Sequence, residues 1–235
     1  PIMKRLLLVS SSNSHGTGYL EHCEAQILTL FDQVENVLFV PYALFDRDGY
    51  AQHARQRFEE MGLGLHSIHD AEEPIEAVRE AEGIFIGGGN TFRLLKELQE
   101  RGLIEPIRSR VEAGMPYLGT SAGSNVACPT IRTTNDMPIV QPASFAALDL
   151  VPFQINAHYL DADPDSQHQG ETREQRLTEY LEENEAPVVA VREGSMVAVT
   201  GAEARLEGET GAVLFTRGQA PREIVPGSRI DRLLD

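Results

Sequence analysis

Residues 119–129, GTSAGSNVACP, place a serine between two glycines at the end of an apolar run. Gly119-Thr120-Ser121-Ala122-Gly123 has the G-x-S-x-G spacing of a nucleophile elbow, in which a sharp strand-to-helix turn lifts the serine hydroxyl out of the sheet. Such a turn brings backbone segments close together, and glycine and alanine leave the room for it. The chemistry would be acyl transfer through a covalent serine intermediate. The plain alternative is an ordinary Ser/Gly turn. A nucleophilic serine also needs backbone N–H groups to hold an oxyanion, a base to take its proton and an acid to orient the base.

Two sets of amides qualify for the oxyanion: that of Ala122, directly after Ser121, and those of GGGN, residues 87–90, at the carboxyl end of the apolar run GIFIG. Those glycines do not form a dinucleotide fingerprint, since Phe92 stands where the third glycine of G-x-G-x-x-G belongs, and no G-x-x-x-x-G-K-[ST] occurs. Seven histidines are available as the base. His15, His22, His53, His66, His69 and His168 fall in loops, helices or a middle strand, whereas His158 closes the run FQINAH. In open α/β sheets ligands gather at the carboxyl ends of the strands, the rim that would also display Ser121 and the glycines. The orienting acid has two candidates, Glu193 at the end of PVVAVR and Asp136 in the loop TTNDMP. A strand end is more rigid than a Pro-flanked loop, which favours Glu193.

The elements that must position these residues alternate as short apolar runs and stretches of helical period, the pattern of an α/β fold built on a mostly parallel sheet. RLLLVS (5–10), NVLFVP (36–41), GLHSIH, GIFIG (83–87), the run before Ser121, FQINAH (153–158) and PVVAVRE (187–193) read as strands. Leu20, Cys23, Ile27, Leu30 and Phe31 draw one helical face, and further helices are expected around 50–61, 72–82, 103–113 and 171–185. NTFRLLKELQERG is a helix with Asn90 or Thr91 as N-cap and Gly102 just past its end. SMVAVT, ARLEGE and GAVLFTRG suit antiparallel ribbons at the sheet edge near the C-terminus.

A chain of 235 residues with 41% hydrophobic residues fits a single α/β domain over 1–235. Twenty Lys and Arg against 36 Asp and Glu leave a formal charge of −16, which argues against general affinity for nucleic acid or anionic membrane. Cys23 and Cys128 form no C-x-x-C pair and no zinc spacing, so both are expected to be reduced and buried; serine acyl transfer of this kind needs no metal or organic cofactor. The N-terminal LLLV is too short for a signal or a span, and a cytoplasmic location, as monomer or homodimer, is expected.

From LLLVS to VREGS the chain closely resembles the peptidase E (α-aspartyl dipeptidase) family of serine peptidases, which also includes cyanophycinases. The resemblance is carried by GGGNTFRLLKELQERGL, GTSAGSNVACPTIRTTNDMPIV, ALDLVPFQIN and HQGETREQR. It implies a fold similar to class I glutamine amidotransferases and a triad of Ser121, His158 and Glu193, with oxyanion amides on Gly89 and Ala122. It also implies cleavage of dipeptides with an unblocked N-terminal aspartate, whose carboxylate would pair with Arg173 in GETR. His22 in LEHC matches a second position near the substrate, and Asp136 and Asn90 are accessory candidates. Without the resemblance, Arg173 reads as a surface helix residue neutralised by Glu171 and Glu174, and His22 as structural. Thr120 stands where some relatives carry a bulkier aromatic residue, and HYLDADPDSQHQ after His158 has a composition of its own. Two other readings compete, a cyanophycinase-like hydrolase of β-aspartyl-arginine polymer and a non-catalytic binding protein on the same scaffold.

Overall fold

The computed structural model describes residues 3–235. Five strands, β1 (Arg5–Val9), β2 (Asn36–Val40), β3 (Gly64–Ser67), β4 (Ile84–Ile86) and β5 (Tyr117–Thr120), pair in parallel in the order β3-β2-β4-β5-β1. Two antiparallel strands, β8 (Ser195–Thr200) and β9 (Glu203–Gly208), extend the sheet beyond β1. Because side chains alternate across a strand, each apolar run feeds two cores. Leu6, Leu8, Leu38, Val40, Ile84, Ile86 and Tyr117 face one way, and Leu7, Val9, Val37, Phe39, Phe85 and Leu118 the other.

Helices cover both faces. Ile27 of α1 (Glu24–Leu30) and Phe58 of α2 (Arg47–Glu60) pack on the second set. Val78 of α3 (Pro74–Glu80), Leu94 and Leu98 of α4 (Thr91–Glu100), Ile107 and Val111 of α5 (Ile104–Glu112) and Ala122 of the short α6 (Ala122–Asn125) pack on the first. The α2 helix starts at Arg47, ahead of the expected start near residue 50, because the Asp46 carboxylate accepts the Gly49 N–H at 2.9 Å and caps it.

The mostly parallel sheet and its antiparallel edge match the expectation. The partition of the remaining strands does not follow from the pattern. β6 (Gln154–Asn156), β7 (Val188–Val191), β10 (Ala212–Phe215) and β11 (Arg222–Ile224) form a separate four-stranded sheet in the order β11-β10-β7-β6. Here too alternation divides the runs. Ile155, Val189, Val191 and Leu214 join the large core, while Val188, Ala190, Val213 and Phe215 pack under Leu177 and Leu181 of α7 (Arg173–Glu183). His158 therefore does not close a strand of the main sheet: β6 stops at Asn156, and His158 stands two residues beyond it. No helix among the described residues is long and apolar enough to cross a membrane.

Candidate active site

Ser121 occupies the turn between β5 and α6 with φ 51° and ψ −108°. A non-glycine residue in this region carries about 1–3 kcal/mol of strain, which the surroundings must over-determine. They do so with backbone bonds. The Ser121 N–H donates to Val9 O at 3.0 Å, and Ser121 O accepts from Ser124 N at 2.9 Å and Asn125 N at 3.0 Å. The Ser124 hydroxyl reaches Val9 O and Gly119 O at 2.7 and 3.0 Å, and the buried Tyr117 hydroxyl donates to Gly123 O at 2.6 Å.

The two flanking glycines are dictated by contact. A Cβ on Gly119 would lie 2.5 Å from Gly123 O, and one on Gly123 would overlap Ile86 O. Gly123→Ala is therefore expected to lose about 3 kcal/mol of stability, because backbone rather than a yielding side chain must move. Urea denaturation measures this, and an unchanged midpoint would refute the close packing of α6 on β4.

The Ser121 hydroxyl is 2.7 Å from His158 Nε2, and His158 Nδ1 is 2.7 Å from Glu193 Oε1. A carboxylate can only accept, so Nδ1 carries the proton and Nε2 is left to accept from the serine. His158 also has positive φ, 57°. Its backbone is held by Ser10, whose hydroxyl accepts the His158 N–H at 2.9 Å and donates to Val191 O at 2.7 Å. Glu193 lies in the turn after β7, and its carbonyl accepts the Thr210 hydroxyl at 2.6 Å. The pair is open to water, the His158 side chain being 39% and that of Glu193 52% exposed. Ser10 and Thr210 were not singled out from sequence. The available signal was a serine, Ser10, continuing an otherwise apolar strand.

The glycine turn after β4 lies directly against the serine: a Cβ on Gly88 would be 3.0 Å from Ser121 Cβ. Gly89 has φ 138°, and a Cβ there would overlap Ala43 O, so this backbone is open only to glycine. Among the described residues, the N–H groups of Gly89 and Ala122 have no protein acceptor. Asn90 is the N-cap of α4. Its Oδ1 accepts Arg93 N at 3.0 Å and its Nδ2 donates to Met137 O at 2.9 Å. Asp136 accepts both the N–H and the hydroxyl of Thr91, at 2.8 and 2.6 Å, so it secures the start of α4 while Glu193 holds the imidazole.

Arg173 is the first residue of α7, behind a capping box of Thr172 and Gln175. The reading in which Glu171 and Glu174 neutralise it does not hold: Glu171 lies 3.6 Å from Arg176, and no described carboxylate pairs with Arg173. Its Nε is buried without a partner among the described residues, and burial, with Arg176 nearby, pulls the guanidinium below its ordinary pKa. His22 lies in the turn before α1, half-buried, with neither ring nitrogen hydrogen-bonded to a described residue. Burial lowers its pKa, against the opposing pull of Glu209. Neither Arg173 nor His22 hydrogen-bonds to Ser121, His158 or Glu193; the structure joins those three and the 87–89 turn, and sets the other two on separate elements. Cys23 and Cys128 are free and buried, and burial pushes both thiols up to about 12, too high for a reactive thiolate. Asp48, His69 and Asp70 converge at the β3 edge, but both carboxylates are exposed and Ser67 occupies the other histidine nitrogen.

An α/β sheet ending in a strained serine elbow, with an imidazole–carboxylate pair on the serine hydroxyl, has the layout of a serine hydrolase. The model of the family described as Peptidase family S51 matches residues 6–207. A protein of Streptomyces coelicolor named Peptidase E is 51% identical over 230 residues, which cover 98% of this chain and 95% of the relative. A Drosophila melanogaster protein named probable alpha-aspartyl dipeptidase is 47% identical over 234 residues, 98% of each chain. Among solved structures, a peptidase from an acI-B1 Actinobacterium superposes with a TM-score of 0.74 at 17% identity, covering 97% of both chains. The chain belongs to peptidase family S51.

Proposed function

We propose that this single-domain chain is a serine-type dipeptidase that hydrolyses dipeptides with an unblocked N-terminal aspartate. The observation that carries the chemistry is the Ser121–His158–Glu193 chain with 2.7 Å at each link. His158 takes the Ser121 proton as Oγ attacks the aspartyl carbonyl, and Glu193 holds the imidazole tautomer and stabilises the cation that forms. The tetrahedral oxyanion lies on the Gly89 and Ala122 amides, whose N–H groups have no acceptor among the described residues. His158 then protonates the leaving amine, the aspartyl group remains as an ester on Ser121, and His158 activates the water that hydrolyses it.

The substrate class rests on the names of the relatives and on Arg173, a guanidinium with no carboxylate partner among the described residues. A planar carboxylate suits its fork. A panel of Asp-Leu, Asn-Leu, Glu-Leu and Ala-Leu tests this. The kcat/KM for Asp-Leu is expected to exceed the others by about 10²-fold or more, and Arg173→Ala should remove most of that advantage while leaving Ala-Leu unchanged. Equal rates across the panel would sink the aspartyl assignment. The cyanophycinase-like alternative predicts instead a preference for β-aspartyl-arginine.

A further inference from the structure

The His158–Glu193 bond is exposed to water, so burial cannot hold its geometry; the backbone on either side must. His158 begins one segment, with Tyr159 N bonded to Val191 O at 3.1 Å and Asp161 three residues on. Glu193 ends the other, directly after Arg192. The Arg192 guanidinium spends all five N–H donors. Nε and Nη2 reach Asp161 Oδ2 and Oδ1 at 2.7 and 2.9 Å, Nη1 and Nη2 reach Glu223 Oε1 and Oε2 at 2.5 and 2.9 Å, and Nη1 also donates to Thr210 O at 3.1 Å. Its side chain is only 19% exposed and lies 6.0 Å from the centre of the Tyr159 ring, which in turn packs edge-on against Phe215. Two bidentate carboxylate pairs on one arginine make a geometric clamp rather than a loose surface ion pair.

Resting on the triad reading above, we infer that Arg192 is a positioning residue. By forking to Asp161 and Glu223 it ties the segment that carries the base to the segment that carries the orienting acid. Three features converge on this role. Thr210, whose carbonyl takes the fifth donor, also donates its hydroxyl to the Glu193 carbonyl. Asp161 lies in the exposed run 160–171, so among the described residues the clamp adds to the Tyr159 bond and the packing of its ring on Phe215 in restraining the strained His158 backbone from its C-terminal side. The third is the position of Glu223 on β11, which anchors the clamp to the outer strand of the second sheet. The two carboxylates, Glu223 foremost, hold the guanidinium well above its ordinary pKa.

Arg192→Gln removes the charge and the fork together. It should lower kcat for Asp-Leu about 10- to 100-fold with KM within about twofold, the signature of a misplaced base rather than of lost binding. In proton NMR of the free enzyme, the downfield Nδ1–H resonance of His158 should broaden or vanish. Arg192→Lys should recover only a small part of the loss, because an ammonium cannot fork to two carboxylates. If Arg192→Gln does not fold, Asp161→Asn removes one arm alone and is read by the same resonance. An unchanged resonance and unchanged kcat per folded molecule, even with a lowered melting temperature, would overturn the proposal. The resonance is independent of substrate, so a failure of the aspartyl reading alone leaves it interpretable.

Discussion

Ser121→Ala is expected to lower kcat on Asp-Leu by about 10⁵- to 10⁶-fold, to the residue left by binding and the oxyanion amides alone. The fold should survive, because the hydroxyl contributes to no core contact and the elbow is held by main-chain bonds from Ser121, Ser124 and Asn125. The strain sharpens the test. Alanine keeps a Cβ at φ 51°, whereas glycine accepts that conformation freely. Ser121→Gly should therefore be as inactive as Ser121→Ala but more stable by about 1 kcal/mol, the strain relieved exceeding the extra entropy of the unfolded glycine chain. Calorimetry of the two variants measures the difference. Parent-like turnover by Ser121→Ala would end the nucleophile assignment.

Glu193→Gln should cost about 10³- to 10⁴-fold in kcat with little change in KM. The glutamine is nearly isosteric, so the backbone is undisturbed, but its amide can donate to Nδ1 and stabilise the tautomer protonated on Nε2. That tautomer points a hydrogen at the Ser121 hydroxyl and cannot take its proton. Asp136→Asn is the control for the competing acid. Its carboxylate accepts from Thr91, so the change should weaken the start of α4 by about 1 kcal/mol and leave kcat within a few-fold. A larger kcat loss in Asp136→Asn than in Glu193→Gln would reverse the assignment of the two carboxylates. Steady-state kinetics on folded fractions decides between them.

The elbow was legible because its requirements are local. A strand, a glycine on either side and a small residue after the serine are all read within ten residues, and the contacts of Gly119 and Gly123 show why nothing larger fits. The parallel strands were legible for a related reason: a strand buried on both faces must be apolar throughout, as LLLV, VLFV and IFI are. The cap of α4 was narrowed to Asn90 or Thr91, and the structure assigns Asn90 the cap and gives Thr91 to Asp136.

The partition into two sheets was not legible. VVAV and QIN announce burial, but an apolar run carries no record of which strand it pairs with, and β6 meets β7 across more than thirty residues of sequence. In the sequence His158 and Glu193 stand at the ends of apolar runs that read as strands of one sheet. In the structure both follow strands of the second sheet, His158 reaching Ser121 and Glu193 reaching His158, held there by Ser10 and Thr210. The clamp of Arg192 on Asp161 and Glu223 is equally nonlocal, joining residues 31 apart on either side.

By itself, then, the sequence determined the strands, the elbow and the residue types able to do acyl-transfer chemistry, since these depend on period, size and neighbours along the chain. Only the tertiary structure decided which carboxylate faces the imidazole and that Arg173 has no carboxylate partner among the described residues. It alone also brought together the exposed base and acid, which stay aligned through contacts that sequence proximity does not encode.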